Sequence, residues 1–379
     1  MKAKSIKGKS PDEIASALLQ SKADGFNPTL SVVFLSVKQD RDAICKILDE
    51  NGISIYGATT NGEFTEEGIS NGEVAILLLE INPDWFTILF SSFPEKNYRE
   101  TTRLMAAKAL EKYSHPAFLI ASCNLETDAE ELLHGFEDIV GKNVNVYGGM
   151  AGDDMQFTGQ YVFTNGKSSD RGIVALVINE DKLIIKGKAT CGWMPMGTEK
   201  LITNSEGNRV YTIENISPLD MTRKYSGLEN LTRENPNIAK EIATSFPLQL
   251  QREKGDPVMR PGLVVNWEDG SFICSGSVPQ GSKIRFSLPP DFDVIQKVIN
   301  GCAEMKATEM PEADALIIFS CAGRLISMGP LMSEEIDGVR DIWNVPMAGI
   351  FSNAELARAT NGGLEMHNLT TCCVVLKEK

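Results

Sequence analysis

Asp153 and Asp154 close a glycine-rich turn in "NVNVYGGMAGDD" (143–154), directly after a short apolar run. The chain makes the same gesture twice more. "GISIYGATTNGEF" (52–64) brings Glu63 to that place, and "NVPMAGIFSNAEL" (344–356) brings Asn353 and Glu355. Carboxylates here could receive a ligand amine, an arginine fork or a hard cation such as Mg²⁺ or Ca²⁺. No DxDxDG loop is present, and Gly-Asp after a strand equally forms an Asx turn or a helix N-cap. Four acids would share one mouth only if the three turns converge.

A fourth stretch, "FSCAGR" (319–324), ends a buried strand and places Cys321, Gly323 and Arg324 in the turn after it. Open α/β sheets bind ligands outside the carboxyl ends of their strands. Arg324 offers a planar fork for a carboxylate or phosphate; alternatively it pairs with an acid such as Glu355 and stiffens the turns. Cys321 could be a nucleophile or redox thiol, its pKa lowered by Arg324 and a following helix terminus. A Cys enzyme also needs a base. The only histidines, His115, His134 and His367, have no local tie to Cys321, which favours a packing or pocket-lining thiol.

"CGWMPMG" (191–197) sets Trp193 and two thioethers between glycines, a soft wall for a ligand or a wedge in a core. "GATTNGE" (57–63) lacks the Lys-Ser/Thr pair of a phosphate loop.

The elements that position these residues recur. "LSVVFLSV" (30–37), a helix at 40–52 and "ISIYG" (53–57) make a β-α-β unit. Residues 116–122, 127–141 and 144–148 make a second, and 313–320, 329–343 and 346–351 a third. Hairpins are expected from 72–81 with 85–92 across "NPD", and from 171–179 with 182–190. Gly149 to Val174 and Gly349 to Val374 are both 25 residues, the mark of an internal repeat. Helices are expected at 11–22, 99–113 and 235–246. Residues 192–215 read as a hairpin turning at Glu206-Gly207-Asn208, and 262–288 as β. The fold class is α/β in the mixed α+β sense: repeated β-α-β-plus-hairpin units in mixed sheets covered by helices, as two domains. The expected boundaries are 1–29 for an N-terminal extension, 30–217 and 218–379, divided at Ser217-Pro218.

At 379 residues the chain exceeds the roughly 250–300 at which single cores stop growing. Its 42% apolar and 23% charged residues are those of a globular protein. A net charge of −14 argues against nucleic acid and anionic lipid as partners. The basic start "MKAKSIKGKS" has no apolar h-region, and "EVAILLLEI" is far short of the ~20 residues that span a bilayer. A cytoplasmic protein without membrane insertion is expected. Eight cysteines without a CxxC agree, being read mostly as small buried hydrophobes.

Taken in order, "YGATTNGEF", "YGGMAGDD", "GWMPMG", "RPGLVVNWEDG" with "GSVPQG", "FSCAGR", "GIFSNAEL" and "HNLT" resemble the FIST family, the bacterial intracellular signal-transduction module of FIST_N and FIST_C segments. The resemblance spans about 30–376. It implies a ligand-sensing domain for small molecules such as amino acids, signalling through a separate histidine kinase, chemoreceptor or cyclic-dinucleotide enzyme. A carboxylate-bearing metabolite would meet Arg324, its amine Asp153 or Glu355, in a pocket lined by Cys321, Asn353 and Trp193, with Asp154 and Glu63 at the same tips. Some family members are similar to haem-binding nitric oxide sensors, so haem held by His115, His134, His367 or a cysteine is the alternative, and a Cys- or carboxylate-dependent enzyme a further one. One position departs from the family pattern: Ala354 stands where "NGE" has glycine, a steric cost if that turn needs φ > 0.

Overall fold

In the computed structural model of the protein, which describes residues 1–379 except Pro94, Asn124, Leu125, Phe157, Glu229 and Pro289, the first two helices begin where their caps stand. Ser10 accepts the Glu13 N–H ahead of Pro11–Ser21, and Asp40 the Ala43 N–H ahead of Arg41–Glu50. The helix Arg41–Glu50 carries the chain between two parallel strands, Leu30–Leu35 and Ser54–Thr59. Both are mostly apolar and almost wholly buried, as strands covered on both faces must be.

Three such units build three six-stranded mixed sheets. The first runs Lys2–Gly8, Val74–Glu80, Leu30–Leu35, Ser54–Thr59. The second runs Phe86–Ser92, Gly172–Asn179, Pro116–Ser122, Val146–Met150, and the third Leu183–Thr190, Thr371–Glu378, Ala315–Cys321, Met347–Ser352. Each sheet is then completed by a short hairpin from another unit. Glu63–Thr65 with Gly68–Ser70 joins the third sheet, Val162–Thr164 with Lys167–Ser169 the first, and Glu355–Arg358 with Leu364–His367 the second. The exchange closes on itself, giving the molecule an internal pseudo-threefold.

Two expected hairpins do not form. Val74–Glu80 lies between Lys2–Gly8 and Leu30–Leu35, whereas Phe86–Ser92 pairs with Gly172–Asn179 in the next sheet. The turn at Asn82 therefore passes the chain from sheet to sheet. Gly172–Asn179 and Leu183–Thr190 part in the same way. An apolar strand buried on both faces needs a neighbour on each side, and an adjacent hairpin partner supplies one.

The inner faces of all three sheets meet in one core, where Phe34, Leu119 and Phe319 come from different units. Outer faces pack under helices, with separate cores around Ile44, Phe136 and Ile336. A smaller unit interrupts the third repeat between Leu183–Thr190 and the helix Phe292–Thr308. It is a seven-stranded antiparallel sheet within 195–287, with its own core of Ile202, Phe246 and Phe286. Its two ends are joined where Leu288 N–H donates to Met194 O at 2.9 Å.

Candidate functional site

The three turns converge. Asn61 N–H donates to Phe351 O at 3.0 Å, Gly152 N–H to Thr59 O at 2.8 Å and Asn353 N–H to Met150 O at 3.0 Å, a ring that links each unit to the next. Asn61 Nδ2 reaches Asn353 Oδ1 at 2.8 Å, and Asn353 Nδ2 reaches Ala151 O at 2.8 Å. A Cβ at Gly152 would lie 2.4 Å from the Asn61 side chain, so the second unit needs glycine where the others carry asparagine.

The acids at these tips are taken up by the protein around them. Glu63 is buried and accepts from Thr60 Oγ1 and Glu73 N–H, both at 2.7 Å, while burial pushes its pKa up to about 7. Glu355 repeats the clasp with Ser352 Oγ at 2.7 Å, and burial drives its carboxyl well above the usual range. Asp153 accepts the N–H groups of Thr158 and Gly159, and Asp154 takes Ser36 Oγ at 2.6 Å with Lys38 Nζ at 3.3 Å. Ala354 carries no positive φ, unlike Gly62 at 137°, so the departure from the family pattern costs nothing there. Among the described residues no group of three His, Cys, Asp or Glu could hold a metal ion.

"FSCAGR" is not a strand followed by a turn. Ala315–Cys321 passes directly into the helix Ala322–Met328, which places Arg324 in its first turn. Arg324 is fully buried, and its acid is Glu335, not Glu355: Nε donates to Glu335 Oε1 at 3.1 Å and Nη2 to Oε2. Nη1 donates to Cys191 O at 2.6 Å and Leu369 O at 3.0 Å, and the guanidinium lies 5.2 Å from the Trp193 ring centroid. Burial, with Glu355 nearby, pushes the Cys321 thiol up, opposite to what a nucleophile requires. All eight cysteines are free.

A cavity of about 690 Å³ opens between the small unit and the third repeat. Of the eight candidate residues, Trp193 is on its wall; Arg324 stands behind, fixing Trp193 and the Cys191 carbonyl. Trp193 is further held by Nε1–H to Thr244 O at 3.3 Å, and its own carbonyl accepts from Gln249 Nε2 at 3.0 Å. One face of the helix Phe292–Thr308 supplies Lys297, Asn300 and Glu304. Glu304 pairs with Lys188 at 2.5 Å. Lys297, on the helix, and Asp256, in the small unit, have no ion-pair partner among the described residues.

The model of the FIST N domain matches residues 29–216, and that of the FIST C domain matches 218–358. The chain belongs to the FIST family. FIST domains are sensory domains of signal transduction. Comparison with curated proteins gives no match. In this FIST protein the seven-stranded sheet draws strands from both matched segments, Pro195–Glu206 and Arg209–Ile213 from the N part and the rest from the C part. The cleft wall is therefore built by both, and neither alone encloses it. No helix among the described residues is long and apolar enough to cross a membrane.

Lys297, Asp256, Lys188 and Glu304 escape a reading centred on strand-end turns. A signal did exist for the helix residues: positions 297, 300, 301 and 304 fall on one face at helical spacing.

Proposed function

We propose that the protein senses a small amino-acid-like carboxylate in the cleft between the small unit and the third repeat. The carrying observation is that an ammonium, Lys297, and a carboxylate, Asp256, neither with an ion-pair partner among the described residues, line one cavity of about 690 Å³ together with Trp193. A ligand with both charges satisfies both walls, and the indole adds apolar area. Arg324 serves as a positioning residue, locking Trp193 rather than touching the ligand. Occupancy biases the two bodies toward one arrangement, because a ligand shifts an equilibrium only by its differential affinity for the two states. A separate histidine kinase, chemoreceptor or cyclic-dinucleotide enzyme reads that arrangement.

The residues present do not fit haem. Beside Trp193, Pro257 and Met259 the cleft wall carries Lys188, Lys297, Asp256, Glu304 and Asn300, so charged and polar groups would face the apolar rings of a porphyrin. His367 is the histidine on that wall, its Nε2 lies 3.2 Å from Ala357 O, and burial lowers its pKa to about 4. His115 and His134 pair with Asp181 and Glu131 elsewhere.

A thermal-shift screen against the common amino acids and related carboxylates tests the reading. At 100 times its Kd a ligand adds roughly 2.7 kcal/mol, a rise of a few degrees in a protein this size. A flat response to every compound, or a Soret band on mixing with haem, would overturn it.

A further inference from the structure

The geometry points to Lys297 as the receptor for the ligand's anionic group and, in the empty cleft, as a latch on the chain that connects the small unit. This deepens the sensory reading of the cleft and rests on it.

The two lysines of the cleft wall differ in what they already hold. Lys188 is neutralised by Glu304 at 2.5 Å. Lys297 Nζ is met by Gly192 O at 3.0 Å and Met194 Sδ at 2.7 Å, a carbonyl dipole and a thioether. An ammonium has three donors and a full charge, and a carboxylate offers it a full opposite charge where a carbonyl or thioether offers only a dipole. A carboxylate entering the cleft therefore displaces weaker acceptors. A phosphate dianion suits the site less, since Asp256 and Glu304 share its walls. The fitting class is a small organic monoanion.

Both displaced acceptors lie on residues 191–194, one of the two connections to the small unit. The helix and this connection touch closely: at Gly192, φ 91°, a Cβ would sit 2.9 Å from Val294 O. When Lys297 turns to an anion, the Gly192 carbonyl loses its donor. The connection then keeps Arg324 on Cys191 O, Gln249 on Trp193 O, Trp193 Nε1–H on Thr244 O and Leu288 N–H on Met194 O. Capture of the anion and loss of this one hold on the connection are thus one event at one nitrogen.

Lys297→Met keeps the aliphatic stem and removes the charge; Lys297→Arg keeps the charge. Each is titrated with the common L-amino acids and, for any that binds, with its decarboxylated amine, while hydrogen exchange is followed over residues 191–196. The wild type should prefer the amino acid to its amine by at least tenfold. Lys297→Met should lose about tenfold in affinity and exchange faster over 191–196 without ligand, and Lys297→Arg should retain most of the binding. An amino acid bound equally by wild type and Lys297→Met overturns the assignment and leaves the sensory reading intact. Failure of every compound to bind the wild type overturns both.

Discussion

Arg324 Nε donates to Glu335 Oε1 at 3.1 Å, and neither side chain exposes any surface. Glu335 Oε1 also accepts from Thr371 Oγ1 at 2.6 Å. One ion pair therefore ties together the helices Ala322–Met328 and Met332–Trp343, the strand Thr371–Glu378 and, through Cys191 O, the connection to the small unit. Burying two charges is justified energetically only when their remaining donors and acceptors are satisfied, and four of Arg324's hydrogen bonds are made.

Removing one partner strands the other. Arg324→Ala is expected to cost about 3–5 kcal/mol in urea unfolding, the range for breaking a buried pair. Arg324→Met combined with Glu335→Leu should recover much of that loss, because no uncompensated charge remains. A single variant within about 1 kcal/mol of wild type would contradict the burial.

The exchanged hairpins are expected to couple energetically to the strands that receive them. A Cβ at Gly349 would lie 2.0 Å from the Phe64 ring, and one at Gly57 2.1 Å from Phe163. Gly349→Ala should destabilise by roughly 1–3 kcal/mol through overpacking, and Phe64→Ala by roughly 3–5 kcal/mol through the cavity left. The double variant should cost less than their sum, since each relieves the other's defect. Additive losses would mean that unit one does not lean on unit three at this point.

The β-α-β units and the 25-residue spacing were legible because long apolar strands and capped helices carry strong periodicity. The exchanged hairpins were not. Glu63–Thr65 and Val162–Thr164 are three residues long and gain their stability from a sheet elsewhere in the chain, so no local pattern marks them. Lys2–Gly8 alternates lysine with small residues and reads as a basic tail, yet it forms a full edge strand against Val74–Glu80. The acid turns are recognisable in the sequence as a repeated set, but their convergence is visible only in the fold. Their chemistry was misjudged, because burial and hydroxyl clasps such as Thr60 with Glu63 are properties of the assembled ring.

Two buried groups should shape the pH dependence of stability in opposite directions. His367 is lowered from 6.5 to about 4 by burial, so the unfolded chain binds more protons between those values. Its contribution is present above about pH 6.5 and lost as pH falls toward 4. Glu63 is raised from 4.5 to about 7, so its contribution is present below about pH 4.5 and lost as pH rises through 7. At about 1.4 kcal/mol per pKa unit, each effect is at most about 3 kcal/mol. His367→Gln should flatten the acid limb of unfolding free energy against pH. Glu63→Gln should reduce, without abolishing, the loss on the neutral side, because Glu355 is pushed the same way. An unchanged slope between pH 4 and 6.5 in His367→Gln would show that the imidazole is not held neutral.

The decisive measurement is calorimetric titration of the strongest thermal-shift hit into wild type and Asn300→Trp. Asn300 lines the cleft from the exposed side of the helix Phe292–Thr308, one turn from Lys297, so an indole there crowds the Lys297 wall without disturbing a core. Binding should be weakened at least tenfold in Asn300→Trp while its unliganded melting temperature stays within a few degrees of wild type. Full-strength binding to that variant would contradict the cleft as the ligand site.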